Sequence, residues 1–164
     1  MGKLIDFEVT AKRLRAAKEA PSFEPDFTKV LTASDDLGAV LRAHIYAEYR
    51  LGLLLRPFLP LDDQGERRLT ELITLAQSKQ VINAADASAL RELNQLRNDF
   101  AHKLDFELTP ERLKKFLSCL KGDIRDLYED PLPEWQPPST SPARERLQLR
   151  LALCAIDARL TLVP

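Results

Sequence analysis

The run Leu93-Asn94-Gln95-Leu96-Arg97-Asn98-Asp99-Phe100-Ala101-His102 places an arginine, a polar residue and, five positions after the arginine, a histidine. Arg-Asn-x-x-x-His arises by chance in roughly one chain of this size in a hundred. A guanidinium is permanently charged and forks onto phosphate oxygens, whereas an imidazole titrates near neutrality and can accept or return the proton of an alcohol. The pair suits RNA cleavage that uses neither a metal nor a cofactor. His102 would deprotonate a 2′-OH, which attacks its own phosphorus, and Arg97 would neutralise the developing charge. The products are a 2′,3′-cyclic phosphate and a free 5′-hydroxyl. Asn98 can orient His102 or hydrogen-bond phosphate.

Helical geometry limits this reading. At 3.6 residues per turn Asn98 and His102 share a face, while Arg97 is rotated by about 140° from His102. Either the long arginine stem bends its guanidinium round to a shared groove, or two copies of the helix combine their Arg and His across a dimer axis. A structural role accounts for the same residues. His102 and Lys103 can cap the negative end of a helix, and Arg97 can pair with Glu48 or Glu92. His44 and Glu48, four apart on an otherwise apolar stripe, form a supporting pair. Glu48 either fixes the Arg97 guanidinium or belongs to a polar knot that holds two helices in register.

The elements that carry these residues read as helices. Leu4 to Lys18 predicts a short one, followed by the extended strap PSFEPDF (Pro21 to Phe27), which carries Phe23 and Phe27. A second helix is predicted from near Thr32, where Thr32 and Asp35 have capping-box spacing, to Phe58. Its inward stripe is Leu37, Val40, Leu41, His44, Ile45, Glu48, Leu51 and Leu55. A surface-lying third helix covers about Glu66 to Ser78, with Leu69, Leu72, Ile73 and Ala76 on one face. Asn83 and Asp86 start a fourth helix, which carries the motif and turns Leu90, Leu93, Leu96, Arg97, Phe100 and Leu104 inward. Thr109-Pro110-Glu111 starts a helix reaching about Tyr128, with Leu113, Phe116, Leu117, Leu120, Ile124 and Leu127 facing the core. The proline-rich connection Pro131 to Pro142 holds Trp135 and leads to an apolar helix from about Pro142 to Leu162. That helix must be buried on most sides, in its own domain or against another chain.

The expected architecture is all-α: a compact bundle of about five to six helices over residues 1–130, the connection 131–142, and a C-terminal helix over 143–164. With 164 residues the chain suits one domain, and its 5 glycines argue against all-β folds and phosphate-cradling loops. Its 24 Lys+Arg against 25 Asp+Glu leave a net charge of -1, so no global field draws nucleic acid or anionic lipid. Cys119 and Cys154 lack metal or redox spacing and read as buried free thiols. No zinc pattern occurs, and the start MGKLIDFEVTAKRLR has no uninterrupted apolar stretch, so the expectation is a cytoplasmic protein without membrane contact.

The block LNQLRNDFAH (Leu93 to His102), followed by the Thr109-Pro110 helix start, resembles the signature of the HEPN superfamily. The wider span Leu37 to about Leu120 is similar to its mannitol operon repressor branch, through AHIYAEYRL (Ala43 to Leu51), LAQSKQVI (Leu75 to Ile82) and LRNDFAH (Leu96 to His102). About half the chain is covered. The resemblance implies a helical bundle, frequently a homodimer, and in active members a metal-independent endoribonuclease that uses the positions of Arg97 and His102, with Asn98 at the polar position. Many such proteins are bacterial toxins or defence effectors that work beside an antitoxin. The repressor branch implies instead a non-catalytic transcriptional regulator that acts through protein partners. Nothing resembles a helix-turn-helix, so direct DNA reading is not expected.

Overall fold

The computed structural model describes residues 35–60, 67–131 and 144–163. The predicted Leu4 to Lys18 helix, the strap with Phe23 and Phe27, Thr32, Glu66 and Trp135 lie outside them. Six helices and no strand occur among the described residues: α1 (Asp36–Leu55), α2 (Leu69–Ser78), α3 (Ala84–His102), α4 (Pro110–Ser118), α5 (Gly122–Glu129) and α6 (Arg144–Thr161). The all-α bundle is thus the observed architecture.

α1 begins at Asp36 and not near Thr32, because Asp35 is the cap: its carboxylate accepts from Gly38 N at 2.7 Å. The α-helix ends at Leu55, and Arg56–Phe58 continue as a single 3₁₀ turn around Pro57, which has no N–H to donate. The buried side of α1 is also rotated from the predicted stripe. Ala39, Ala43 and Ala47 are buried with Val40, His44, Leu51 and Leu55, whereas Ile45 is 60% and Leu37 40% exposed. The alanines share a sector with Asp36 and Arg50, both of which pair with α6. Small side chains there let α1 and α6 approach closely, which a count of large apolar residues overlooks.

α3 opens with the capping box that Asn83 and Asp86 predict: Asp86 N donates to Asn83 Oδ1 at 2.9 Å, and Asn83 N to Asp86 Oδ2 at 3.1 Å. α1 and α3 run antiparallel, since His44 meets Asn94 while Leu54 and Ala84 line one groove. Leu90, Leu93 and Leu96 are buried as expected, but Leu104 is fully exposed. The helix has ended at His102, and Lys103 turns extended. Phe106 then packs edge-on against Phe100, with ring centroids 4.6 Å apart.

The single helix predicted from Pro110 to Tyr128 is two helices. Thr109 caps α4 by accepting from Arg112 N at 3.2 Å, and the chain turns at Cys119–Lys121 into Gly122, whose φ of +55° suits glycine. Breaking there lets Phe116, Leu120, Ile124 and Leu127 all reach the core despite the change of axis. Cys154 is buried, Cys119 is only half-buried at the turn, and neither forms a disulfide.

α6 is the interior helix. Five consecutive residues, Ala152 to Ile156, are buried, so the helix is covered on every side; it packs on α1, α3, α4 and α5. Each fully buried Leu or Ile contributes roughly 1.5–3 kcal/mol. Its charged residues are spent on neighbours: Arg150 on Asp36 at 3.1 Å, Asp157 on Arg50, and Arg159 on Asp86 through two bonds of 3.1 Å. Asp86 is only 1% exposed. Removing its partner therefore strands a buried carboxylate. Arg159→Met is expected to lower the unfolding free energy by about 3–5 kcal/mol in urea titrations. Asp86→Asn combined with Arg159→Met should cost at least about 1 kcal/mol less than the sum of the two single losses.

Candidate functional site

The motif occupies the last two turns of α3, where the helix is held from two sides. On one side His44 Nε2–H donates to Asn94 Oδ1 at 3.0 Å, joining α1 to α3. The other ring nitrogen of His44 lies 3.8 Å from Glu48 Oε2. Glu48 Oε1 accepts from the Leu69 backbone N–H at 3.1 Å, so this carboxylate meets the positive end of α2. Glu48 makes neither a hydrogen bond nor an ion pair with Arg97 among the described residues. The pair forms the polar knot, tying α1 to both α2 and α3, and does not fix the motif arginine. The geometric reason is that Glu48 reaches the first N–H group of α2, that of Leu69, which has no acceptor within the helix.

On the opposite face Arg112 of α4 bridges two carboxylates of α3. Its Nη1 donates to Glu92 Oε1 at 2.7 Å and its Nε to Asp99 Oδ2 at 2.8 Å. Glu92 is thus engaged by Arg112 and not by Arg97. Asp99 also accepts from Gln95 at 3.2 Å and lies 3.7 Å from Lys103 Nζ. Burial pushes the Asp99 carboxyl up, but the Arg112 and Gln95 hydrogen bonds, with the charges of Arg112 and Lys103, outweigh it and hold the group below its usual range. Asp157, deep in the α1/α6 contact, shows the opposite balance. Burial raises it more than the Arg50 bonds and charge lower it.

Between these anchors Arg97 is half-buried and His102 exposed. Arg97 Nη1 donates to Asn98 Oδ1 at 3.1 Å. Asn98 lies on the His102 face of the helix, so this bond holds the guanidinium sideways against Asn98. The Asn98 carbonyl oxygen is thereby engaged by Arg97, and no hydrogen bond joins Asn98 to His102 among the described residues. Arg50, Arg112, Arg150 and Arg159 each meet a carboxylate, yet no carboxylate among the described residues pairs with Arg97. No group of three or more His, Cys, Asp or Glu among the described residues is placed to hold a metal.

Sequence reasoning did not single out Asn94, Asp99 or Arg112. Two signals were present: Asn94, Asn98 and His102 recur every fourth residue on one face, and Glu92 and Asp99, seven apart, form an acidic line two turns long that a neighbouring cation must cover.

The depressed Asp99 carboxyl has a definite sign in its linkage to stability. Its stabilisation is complete above the ordinary carboxylate pKa of about 4 and is lost as pH falls through the lowered folded-state value. Asp99→Asn is therefore expected to be less stable than wild type by about 1–3 kcal/mol at pH 7. The gap should close progressively as the medium is acidified below about pH 4, in urea titrations across that range. No family model matches the chain, and neither a curated protein nor a solved structure matches it.

Proposed function

We propose that this protein acts on RNA, as a metal-independent endoribonuclease or RNA-binding effector of the HEPN type, with Arg97 and His102 as its reactive pair. The observation that carries the reading is the Arg97 guanidinium, half-buried, without a carboxylate partner among the described residues, and hydrogen-bonded to Asn98, which shares a helix face with the exposed His102. A phosphodiester is the anion that suits it. His102 takes the 2′-OH proton, the 2′-oxygen bonds to phosphorus as the P–O5′ bond breaks, Arg97 stabilises the charge on the non-bridging oxygens, and the departing 5′-oxygen takes a proton from water to leave as the 5′-hydroxyl. The near-neutral net charge directs binding to this local site and away from indiscriminate RNA coating. An antitoxin or other regulatory protein is the partner this role calls for, and the HEPN resemblance adds a homodimer.

A second reading, a non-catalytic regulator acting through protein contacts, is favoured by one observation. Leu37, Ile45 and Tyr49 leave large apolar side chains exposed on α1.

Cleavage of a pool of structured and single-stranded RNAs in EDTA separates the two. Wild type is expected to leave 2′,3′-cyclic phosphate ends, and His102→Ala to lower the rate by about 10²–10⁴-fold. Arg97→Ala should cost about 10²–10³-fold. Because His102 is exposed, the circular-dichroism melt of His102→Ala should stay within about 0.5 kcal/mol of wild type. Absence of cleavage by wild type, together with a lowered melt for either variant, would turn the assignment to the regulator.

A further inference from the structure

α1 turns three large apolar side chains to solvent: Leu37, Ile45 and Tyr49 are 40%, 60% and 42% exposed, with Leu41 half-buried among them. At about 100° per residue they fall in one sector centred on Ile45, away from the sides that meet α3 and α6. Gly52 stands in the same sector, inside the helix. A side chain there would meet no atom within 4 Å, so no neighbour in its own chain requires glycine. Glycine inside a helix is disfavoured by its backbone entropy, and packing within the chain does not offset that.

The order of residues on this face complements itself when a second α1 is laid antiparallel about a two-fold axis near Ile45. Ile45 then meets the partner's Ile45, while Leu37 and Leu41 fall against the partner's Gly52, where the missing side chain leaves room. Asp35, Arg42, Tyr49 and Arg56, spaced two turns apart along one edge of the face, are all exposed. In the antiparallel pair Asp35 comes level with the partner's Arg56, and Arg42 with the partner's Tyr49. The edge thus forms an ion pair and a cation–π contact, each made twice. In a parallel pair each of these residues would face itself, arginine on arginine and aspartate on aspartate. Arg42 and Arg56 have no carboxylate partner among the described residues, and Asp35 commits one oxygen to Gly38 N as the cap of α1.

We propose that this face of α1 binds a second copy of the chain, antiparallel and about a two-fold axis near Ile45. The contact lies on α1 and not on α3. Because α3 ends beside the start of α1, the pairing sets the two motifs at opposite ends of the contact, roughly 27 Å apart along the helix axes. Arg97 of one copy is then too far from the partner's His102 to share a phosphate with it, and the dimer stands whether or not the chain acts on RNA.

Sedimentation of the full chain, without RNA, is the test. Wild type is expected to dimerise with a dissociation constant in the micromolar range or tighter. Ile45→Glu, at an exposed position, should raise that constant at least about tenfold and leave the circular-dichroism spectrum unchanged. Gly52→Gln should raise the melting temperature of the dilute, monomeric chain, since glutamine is the better helix former, and yet weaken the dimer at least about fivefold. Arg56→Ala should weaken an antiparallel dimer by about threefold, whereas it would tighten a parallel one by relieving repulsion. The proposal is overturned by a chain that stays monomeric at about 100 μM, the outcome expected if another segment or a different protein covers the face. It is overturned equally by a dimer indifferent to Ile45→Glu or Gly52→Gln, or one that Arg56→Ala fails to weaken.

Discussion

The Asp86–Arg159 pair is the constraint on which the arrangement of the bundle turns. Asp86 is the third residue of α3, and its carboxylate closes the capping box on Asn83 while receiving two bonds from α6. One buried group thus sets where α3 begins and against which turn of α6 it lies. Arg159 also approaches Asp123 of α5, so three helices meet at this point. An ion pair of this kind adds little net stability compared with an apolar pair, but it tolerates few alternatives, because any shift in register strands a charge away from water. Every later position on α3, including Arg97 and His102, is counted from this fixed start.

The middle and end of α3 are secured by polar contacts of another kind. His44 with Asn94 ties one face to α1, and Arg112 with Glu92 and Asp99 ties the other to α4. The motif therefore projects from a helix clamped at three heights. Such clamping suits a site that must present a cation and an imidazole at a fixed separation, since the supporting side chains bear the cost of order in advance. It suits a rigid docking surface equally well, which is why the state of Arg97, and not the stiffness of the helix, carries the functional argument.

The all-α class, the buried leucines of α3 and the caps at Asn83 and Thr109 were legible because they rest on local rules: a 3.6-residue period, a side chain that accepts from the third N–H, a proline at the first position. What could not be read came from tertiary partners. The inward face of α1 turned toward its alanines because Asp36 and Arg50 find their partners on α6, more than a hundred positions away. Glu48 was drawn to the open Leu69 N–H at the start of α2, which periodicity cannot foresee. The break at Gly122 was visible as a residue type, yet an uninterrupted apolar spacing from Leu113 to Leu127 hid it. At the site, the Arg-Asn-x-x-x-His spacing on one helix could be read from the sequence. The sideways pull of Asn98 on Arg97 and the bridge from Arg112 depend on rotamers and on a neighbouring helix.

The burial of α6 bears on how the chain comes to its fold during synthesis. Asp36, Arg50 and Asp86 are made long before the helix that neutralises them, with separations of 114, 107 and 73 residues to their partners. Until α6 leaves the ribosome, α1 and α3 hold polar groups where the finished core will be, and early collapse around them is opposed by the cost of dehydrating unpaired charge. Contacts so distant in sequence form more slowly than those between neighbouring helices. The same charges that fix the register of the folded protein thus find their partners only once the last described helix is available.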